Sequence, residues 1–238
     1  MALKDKKYKD PLFYLKEHRY QNTKEMFKFI SNLMEKRYRS EEEIIICDHG
    51  CASGELVFHL KTIFINSKIT GYDVLESLLQ KAQKEVKNVD FLKGSILDKN
   101  TCEKNSTDIT TSVGVLQIFD TFEIVIDNML LWTRPGGTVY LHGLFNNFPL
   151  DVDIKYSHSE NWNSGEQERG WNIFSKNTVK TYLDKKTNIS SYKFYDFNIG
   201  IDLEKKEDET HNHIRSWTCK NFDGTRYITN GLGLIQPH

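Results

Sequence analysis

The chain has 238 residues, and 32 Lys+Arg against 33 Asp+Glu leave a formal charge of −1. That length suits one domain with embellishments, which buries roughly 70–75% of its unfolded surface and needs no disulfide staples. The balanced charge excludes the basic footprint of a nucleic-acid or anionic-membrane binder.

No apolar run is long enough to span a bilayer, and no signal-peptide pattern opens the chain. Cys47, Cys51, Cys102 and Cys219 form no Cys-x-x-Cys pair. Free thiols in a cytoplasmic protein are therefore expected. Residues 1–40 read as a helical extension: a solvated Lys-rich start, then Met26, Ile30, Leu33 and Met34 at helical spacing, capped by Asn22 or Thr23. From residue 41 strands and helices alternate. Strand 44–48 precedes helix 54–65, strand 69–73 precedes helix 75–87, and strand 89–92 follows. Strand 109–115, helix 121–133, the Arg134-Pro-Gly-Gly137 stop and strand 138–142 complete the alternating part. Such alternation predicts a parallel sheet with helices on both faces. Residues 146–172 form a polar insertion, and a helix returns over 175–186. Alternating strands are expected over 191–203, 213–220 and 225–236, with Asn221-Phe-Asp-Gly224 as a hairpin turn and the charged run 202–209 as an exposed loop.

The chemistry concentrates at residues 44–54, Ile-Ile-Ile-Cys-Asp-His-Gly-Cys-Ala-Ser-Gly. An apolar strand ends at Asp48 and breaks into a loop where Gly50, Ala52 and Gly54 alternate before a helix. Small residues there let backbone N–H groups approach a nucleotide-like ligand. About twenty residues on, Ile69-Thr-Gly-Tyr-Asp73 ends in an acid placed to take two ribose hydroxyls, unless Asp73 is simply a surface residue. The Gly-x-Gly-x-x-Gly of dinucleotide enzymes fits poorly, because Ala52 and Glu55 stand where its second and third glycines belong. The Walker Gly-Lys-Ser/Thr is absent.

Five segments in order resemble the class I S-adenosylmethionine-dependent methyltransferases. Asp48-His-Gly-Cys-Ala-Ser-Gly54 is similar to their first motif, with Ala52 in place of the middle glycine; Gly71-Tyr-Asp73 is similar to the ribose-binding acid. Phe91-Leu-Lys-Gly-Ser-Ile96 resembles the adenine-side segment, with Ser95 where many members carry Asp. Asp108 to Gln117 and Leu131 to Tyr140 resemble the fourth-strand segment and the Pro-Gly-Gly turn before the fifth strand. The resemblance implies a Rossmann-like seven-stranded mostly parallel α/β sheet of order 3-2-1-4-5-7-6, binding S-adenosyl-L-methionine and releasing S-adenosyl-L-homocysteine. It further implies that Asp48 faces the donor's amino group, or else braces the loop. The backbone through Gly50, Cys51, Ala52 and Gly54 would approach the ribose and methionine part. Val74 and Leu75 would cover the adenine, Ser95 and Ile96 its other face and edge. Ser112, Val113 and Gln117 would line the sulfonium side, with Gln117 equally readable as a solvated helix start.

The candidate bases are His142 at the end of the fifth strand and His158 in the insertion; a framework histidine is the other reading of His142. His49 reads as a loop spacer. His211-Asn-His213 lacks a third ligand, so no metal is expected. Acceptor specificity is expected in 146–172, where Trp162 and Trp171 could stack on a ring or merely pack down a lid; Tyr156, His158, Glu160 and Arg169 could hydrogen-bond an acceptor. Phe13, Tyr14 and Tyr20 would form the other half of the lid. The expected activity is methyl transfer to an oxygen, or nitrogen, of a small polar metabolite such as a sugar or sugar nucleotide, by a monomer or homodimer. Neither nucleic acid nor membrane is an expected partner. No Asn/Asp-Pro-Pro-Tyr/Phe follows the fourth strand, as it often does in amino-methylating members. The rivals are a non-catalytic donor-binding subunit of a heteromeric enzyme and a nicotinamide-dependent oxidoreductase.

Overall fold

The computed structural model describes residues 11–16, 18–205 and 216–230, with backbone alone for 11–13 and 161. His211 and His213 lie outside the described residues, as does the side chain of Phe13. The described residues form two compact units, those within 1–113 and 124–141 and those within 114–123 and 142–238.

The first unit holds a five-stranded sheet of order β3-β2-β1-β4-β5. Its strands are β1 (Ile45–His49), β2 (Lys68–Asp73), β3 (Asp90–Lys93), β4 (Thr107–Val113) and β5 (Thr133–His142). β1 runs parallel to both β2 and β4, with Asp48 beside Gly71 and Thr111. Its helices are α1 (Pro11–Lys16), α2 (Glu25–Glu35), α3 (Glu55–Ile63), α4 (Glu76–Glu85) and α5 (Glu123–Trp132). The apolar stripes read from the sequence meet in one core, where Ile30 and Met34 of α2, Leu56 and Leu60 of α3, and Leu79 and Ala82 of α4 pack on Ile46, Ile69 and Ile109. Burying one such side chain contributes about 1.5–3 kcal/mol, so these stripes decide where the helices lie.

Two local expectations change. The N-cap of α2 is Lys24, with no side-chain cap, rather than Asn22 or Thr23. A tertiary ion pair fixes the start instead, because Lys24 Nζ lies 2.8 Å from the buried Glu55 carboxylate. The Arg134-Pro-Gly-Gly segment is already part of β5, which begins at Thr133 directly after α5. It is pinned to the sheet: Arg134 pairs with Asp108, and a Cβ on Gly137 would lie 2.6 Å from the Asp108 carbonyl. Asp108 also accepts from Ile45 N at 2.9 Å, which anchors β4 to β1.

In the second unit a 3-10 turn (Leu116–Ile118) precedes two short ladders. β6 (Phe145–Asn146) pairs parallel with β9 (Phe174–Ser175), and β7 (Lys155–Tyr156) pairs antiparallel with β8 (Glu168–Arg169). α6 (Lys176–Leu183) follows, capped by Ser175, whose hydroxyl accepts from Asn177 N. The expected sixth and seventh strands do not join the central sheet among the described residues. Residues 191–200 alternate aromatic and polar side chains yet form no ladder. Tyr192 bonds to Asp184, and Phe194 packs edge-on against Phe145, so side chains rather than strand pairing hold that segment. β10 (Trp217–Lys220) and β11 (Arg226–Thr229) pair with each other as the Asn221–Gly224 turn predicts. Gly224 sits at φ 83°, where a side chain is disfavoured. No described helix is long and apolar enough to cross a membrane.

Candidate functional site

The strand-loop-helix of the first unit is built from backbone bonds that curl the β1–α3 loop around the end of β2. Gly50 N and Cys51 N both donate to the Tyr72 carbonyl, at 2.7 and 3.0 Å. Gly50, Ala52 and Gly54 all have positive φ, at 77°, 48° and 80°. Ala52 thus occupies a conformation that costs an L-residue roughly 1–2 kcal/mol. Gly54 is required on two counts, since a Cβ would also lie 2.9 Å from the Phe91 ring and 3.1 Å from Ala82 Cβ.

Two carboxylates flank this loop. Asp73 is not a surface residue; it is buried and works on the backbone. Its Oδ2 accepts from Ala52 N and its Oδ1 from Leu75 N, each at 2.9 Å. Burial raises its pKa, and the bonds from the Leu75, Ala52 and Val74 amides oppose that rise. Asp48 is 2% exposed and accepts from Thr111 Oγ1 at 2.7 Å. Burial pushes its carboxyl up to about 7, against the Thr111 bond, with the negative charge of Asp73 adding to the rise. The same two acids push the buried Cys51 thiol well up, after burial itself.

The adenine-side segment is tied in by Gly94 N, which donates to the Asp73 carbonyl at 3.0 Å. Val74 and Ser95 are partly exposed; Ile96 is buried, and its carbonyl accepts from Asn128 at 2.8 Å. Ser112 is held by the neighbouring strand. It is fully buried and donates to the His49 carbonyl at 3.0 Å, which makes it a joint between β4 and β1. Val113, half-buried, packs against the core. His49 is not a loop spacer either: its fully buried ring stacks on Trp132 at 4.2 Å and on Tyr72 at 5.0 Å.

Tyr20 supplies a contact from the N-terminal segment. Its hydroxyl donates to the Ser53 carbonyl at 2.8 Å, and its ring packs edge-on against Phe58. Burial raises that phenol to about 12, so it is a neutral donor at physiological pH. Lys81 holds α1 by bonds to the Tyr14 and Leu15 carbonyls.

In the second unit Gln117 and His142 are both tied to Gly114. Gln117 Nε2 donates to the Gly114 carbonyl at 2.9 Å, and Gly114 N donates to the His142 carbonyl at 3.2 Å. Gln117 is therefore a buried part of the 3-10 turn rather than a solvated helix start. Its Oε1 and His142 Nδ1 are buried without a hydrogen-bond partner among the described residues. Burial lowers the His142 imidazole to about 4, which keeps it neutral at physiological pH.

His158 is half-exposed and lies 3.5 Å from Glu168, which also accepts from Tyr156 at 2.7 Å. Trp162 is 72% exposed and packs nothing down, while Trp171 is half-buried. Arg169 pairs with Asp120, and Glu160 lies in an exposed 3-10 turn. Asn172, which sequence reasoning passed over, braces this region. It donates to the Phe119 carbonyl at 2.9 Å, accepts from Ile154 N at 3.1 Å, and its own N donates to the Gln117 carbonyl at 2.8 Å. Its only sequence signal was an Asn beside a Trp in a polar stretch, which carries no information about its partners. No cluster of potential metal ligands occurs among the described residues.

The donor set is two buried carboxylates plus backbone amides on a small-residue loop. It suits a ligand with hydroxyls and a positive charge and opposes a diphosphate. Comparison with known proteins agrees on the kind of domain. A family model described as Methyltransferase domain matches residues 40–189. Among curated relatives, a malonyl-[acyl-carrier protein] O-methyltransferase of Bacillus anthracis is 25% identical over 136 residues, 56% of this chain and 44% of that protein. The enzyme of the same name from Halalkalibacterium halodurans is 27% identical over 169 residues, 66% of this chain and 60% of that one. The chain thus spans about half the length of these relatives. A chain of the complex between the Haloferax volcanii Trm112 methyltransferase activator and a methyltransferase superposes with TM-score 0.53 at 17% identity, covering 73% of this chain and 74% of that one. The PH0226 protein of Pyrococcus horikoshii gives 0.53 at 16%, covering 73% and 88%. At these identities the structural likeness establishes the fold alone.

Proposed function

The chain belongs to the class I S-adenosylmethionine-dependent methyltransferases, and from that premise we propose that it moves a methyl group from S-adenosyl-L-methionine to an oxygen of a small polar acceptor. The observation that carries the donor assignment is the pair of buried carboxylates at the ends of β1 and β2. In this reading Asp73 takes the ribose hydroxyls with the lone pairs left by the Ala52 and Leu75 amides. Asp48 faces the donor's ammonium, and its raised pKa falls when that cation arrives. Gly50, Cys51, Ala52 and Gly54 bring backbone close to the ligand, and Val74, Ser95 and Ile96 surround the adenine. Tyr20 holds the N-terminal segment on the loop through Ser53.

The donor, when bound, supplies a sulfonium that is already a good leaving group. The protein's part is then geometry, and holding the acceptor in line is worth roughly 7–11 kcal/mol of the barrier. Ser112 acts indirectly, by fixing β4 to β1. Within the second unit, Gln117 and His142 are the candidate acceptor-side residues: Gln117 Oε1 and His142 Nδ1 have no hydrogen-bond partner among the described residues, and burial keeps the ring neutral. An oxygen acceptor is preferred over nitrogen because the curated relatives are O-methyltransferases. His158, Tyr156 and the exposed Trp162 are the residues of 146–172 that would select the acceptor.

Transfer of labelled methyl from the donor to a panel of malonyl thioesters, sugars, sugar nucleotides and small amines tests this reading. Turnover of an oxygen acceptor is expected. Turnover of amines only would refute the oxygen assignment. Donor binding without turnover of any acceptor would favour the non-catalytic subunit.

A further inference from the structure

A second cluster lies within the first unit, on the face of β1 opposite the Asp48 side chain, and the donor chemistry does not use it. Cys47 and His49 alternate along β1, so their side chains share one face of the sheet. Cys102 reaches that face from the loop between β3 and β4. Its sulfur lies 3.9 Å from His49 Nε2, with Cys47 and Tyr72 also beside it. All four cysteines are free thiols. Cys102 is 9% exposed and lines a surface depression of about 450 Å³ with Lys99, Asn100, Glu103, Lys104 and Leu131.

We propose that Cys102 is a peroxide-reactive thiol that is oxidised first and then forms a disulfide with Cys47, tying the β3–β4 loop to β1. The Cys102 thiolate attacks one peroxide oxygen; the O–O bond breaks, Cys102 becomes a sulfenic acid, and hydroxide leaves and takes up a proton. The Cys47 thiol then attacks the sulfenic sulfur and gives up its proton, and water departs as the S–S bond forms. Two electrons pass from the two sulfurs to one peroxide.

Three features support this division of labour. The neighbouring Cys47 lowers the Cys102 thiol, burial opposes that, and His49 and Tyr72 lower it further, whereas the neighbouring Cys102 and burial raise Cys47. Position separates the two sulfurs as well, because Cys102 lines the surface depression whereas Cys47 lies on β1 and does not. The His49 ring explains its own unusual burial. If Nε2–H donates to a Cys102 thiolate, the other nitrogen, Nδ1, needs no proton and presents only a lone pair. Nδ1 is indeed buried without a hydrogen-bond partner among the described residues. The stack between Tyr72 and Trp132 fixes the imidazole in the orientation that serves Cys102.

The test uses the full chain, with the half-exposed Cys219 as internal reference. Near pH 6.5 iodoacetamide should label Cys102 at least about tenfold faster than Cys219. Hydrogen peroxide should yield a Cys47–Cys102 cross-linked peptide on non-reducing mapping, lost on addition of dithiothreitol. In Cys47→Ser, dimedone should trap a sulfenic acid at Cys102. If Cys219 is alkylated as fast as Cys102 in the wild-type protein, the proposal fails, whatever the variants do. If Cys102 reacts fast but no cross-link forms, the resolving role of Cys47 is overturned.

Discussion

Asp48 carries a stability penalty that a single substitution should expose. Its folded carboxyl titrates at about 7 because burial penalises the charged form, against about 3.9 in an unfolded chain. A shift of about three units corresponds to roughly 4 kcal/mol, and relaxation around the charge leaves about half of that as a working figure. The sign follows from proton uptake. Below about pH 4 both states hold the proton and burial is free of penalty. As pH rises toward 7 the unfolded state ionises first, so folding loses stability until the folded group also ionises; above 7 the loss is constant. Asp48→Asn removes the ionisation and keeps an oxygen for the Thr111 hydroxyl, which donates at 2.7 Å. The variant should therefore be more stable than wild type by about 2–4 kcal/mol at pH 8. That is a rise in thermal midpoint of about 4–16 °C for a chain of this size. The gap should close to within about 1 kcal/mol near pH 4. Urea unfolding at the two pH values, free of donor, measures it. An Asn variant no more stable than wild type at pH 8, or a gap that ignores pH, would refute the burial argument.

Other substitutions probe the same loop and the second unit. Asp73→Asn turns one acceptor oxygen into a donor facing the Ala52 or Leu75 amide. It should lose about 1–3 kcal/mol in urea unfolding and bind S-adenosyl-L-homocysteine at least about tenfold more weakly; unchanged affinity would remove the ribose role. Gly54→Ala must hold a Cβ at φ 80° and 2.9 Å from Phe91, and should destabilise by about 2–4 kcal/mol; a drop below about 0.5 kcal/mol would mean the loop refolds. His142→Ala should slow turnover about a hundredfold or more at unchanged donor affinity if its ring is the base, and a loss under about twofold would leave it a framework residue. Because burial holds that imidazole near 4, the rate should show no His142 inflection between about pH 5.5 and 8.

The parts of the molecule set by neighbours in the chain were readable in the sequence. The Asp48–Gly54 loop, the Asp73 strand end and the Asn221–Gly224 hairpin each rest on local turn chemistry, and each stands as expected. The partners of individual side chains were less legible, because the sequence does not say which way a strand residue points. The bond by which Ser112 joins β4 to the His49 carbonyl had no sequence signal. The start of α2 was misplaced because Glu55, on another helix, holds Lys24. The period-two pattern of 191–203 was real, but a strand needs a partner backbone and alternation alone does not supply one. Most hidden was the Cys47–His49–Cys102 cluster. Cys102 meets His49 from 53 residues away, across a loop with no motif of its own.

The most direct measurement is calorimetric titration of the full chain with S-adenosyl-L-homocysteine, repeated with NAD. If the buried carboxylates of β1 and β2 hold the methyl donor, S-adenosyl-L-homocysteine binds saturably at one site per chain and NAD gives no heat. Absence of S-adenosyl-L-homocysteine binding, or binding of NAD in its place, would contradict the assignment of the donor to this loop.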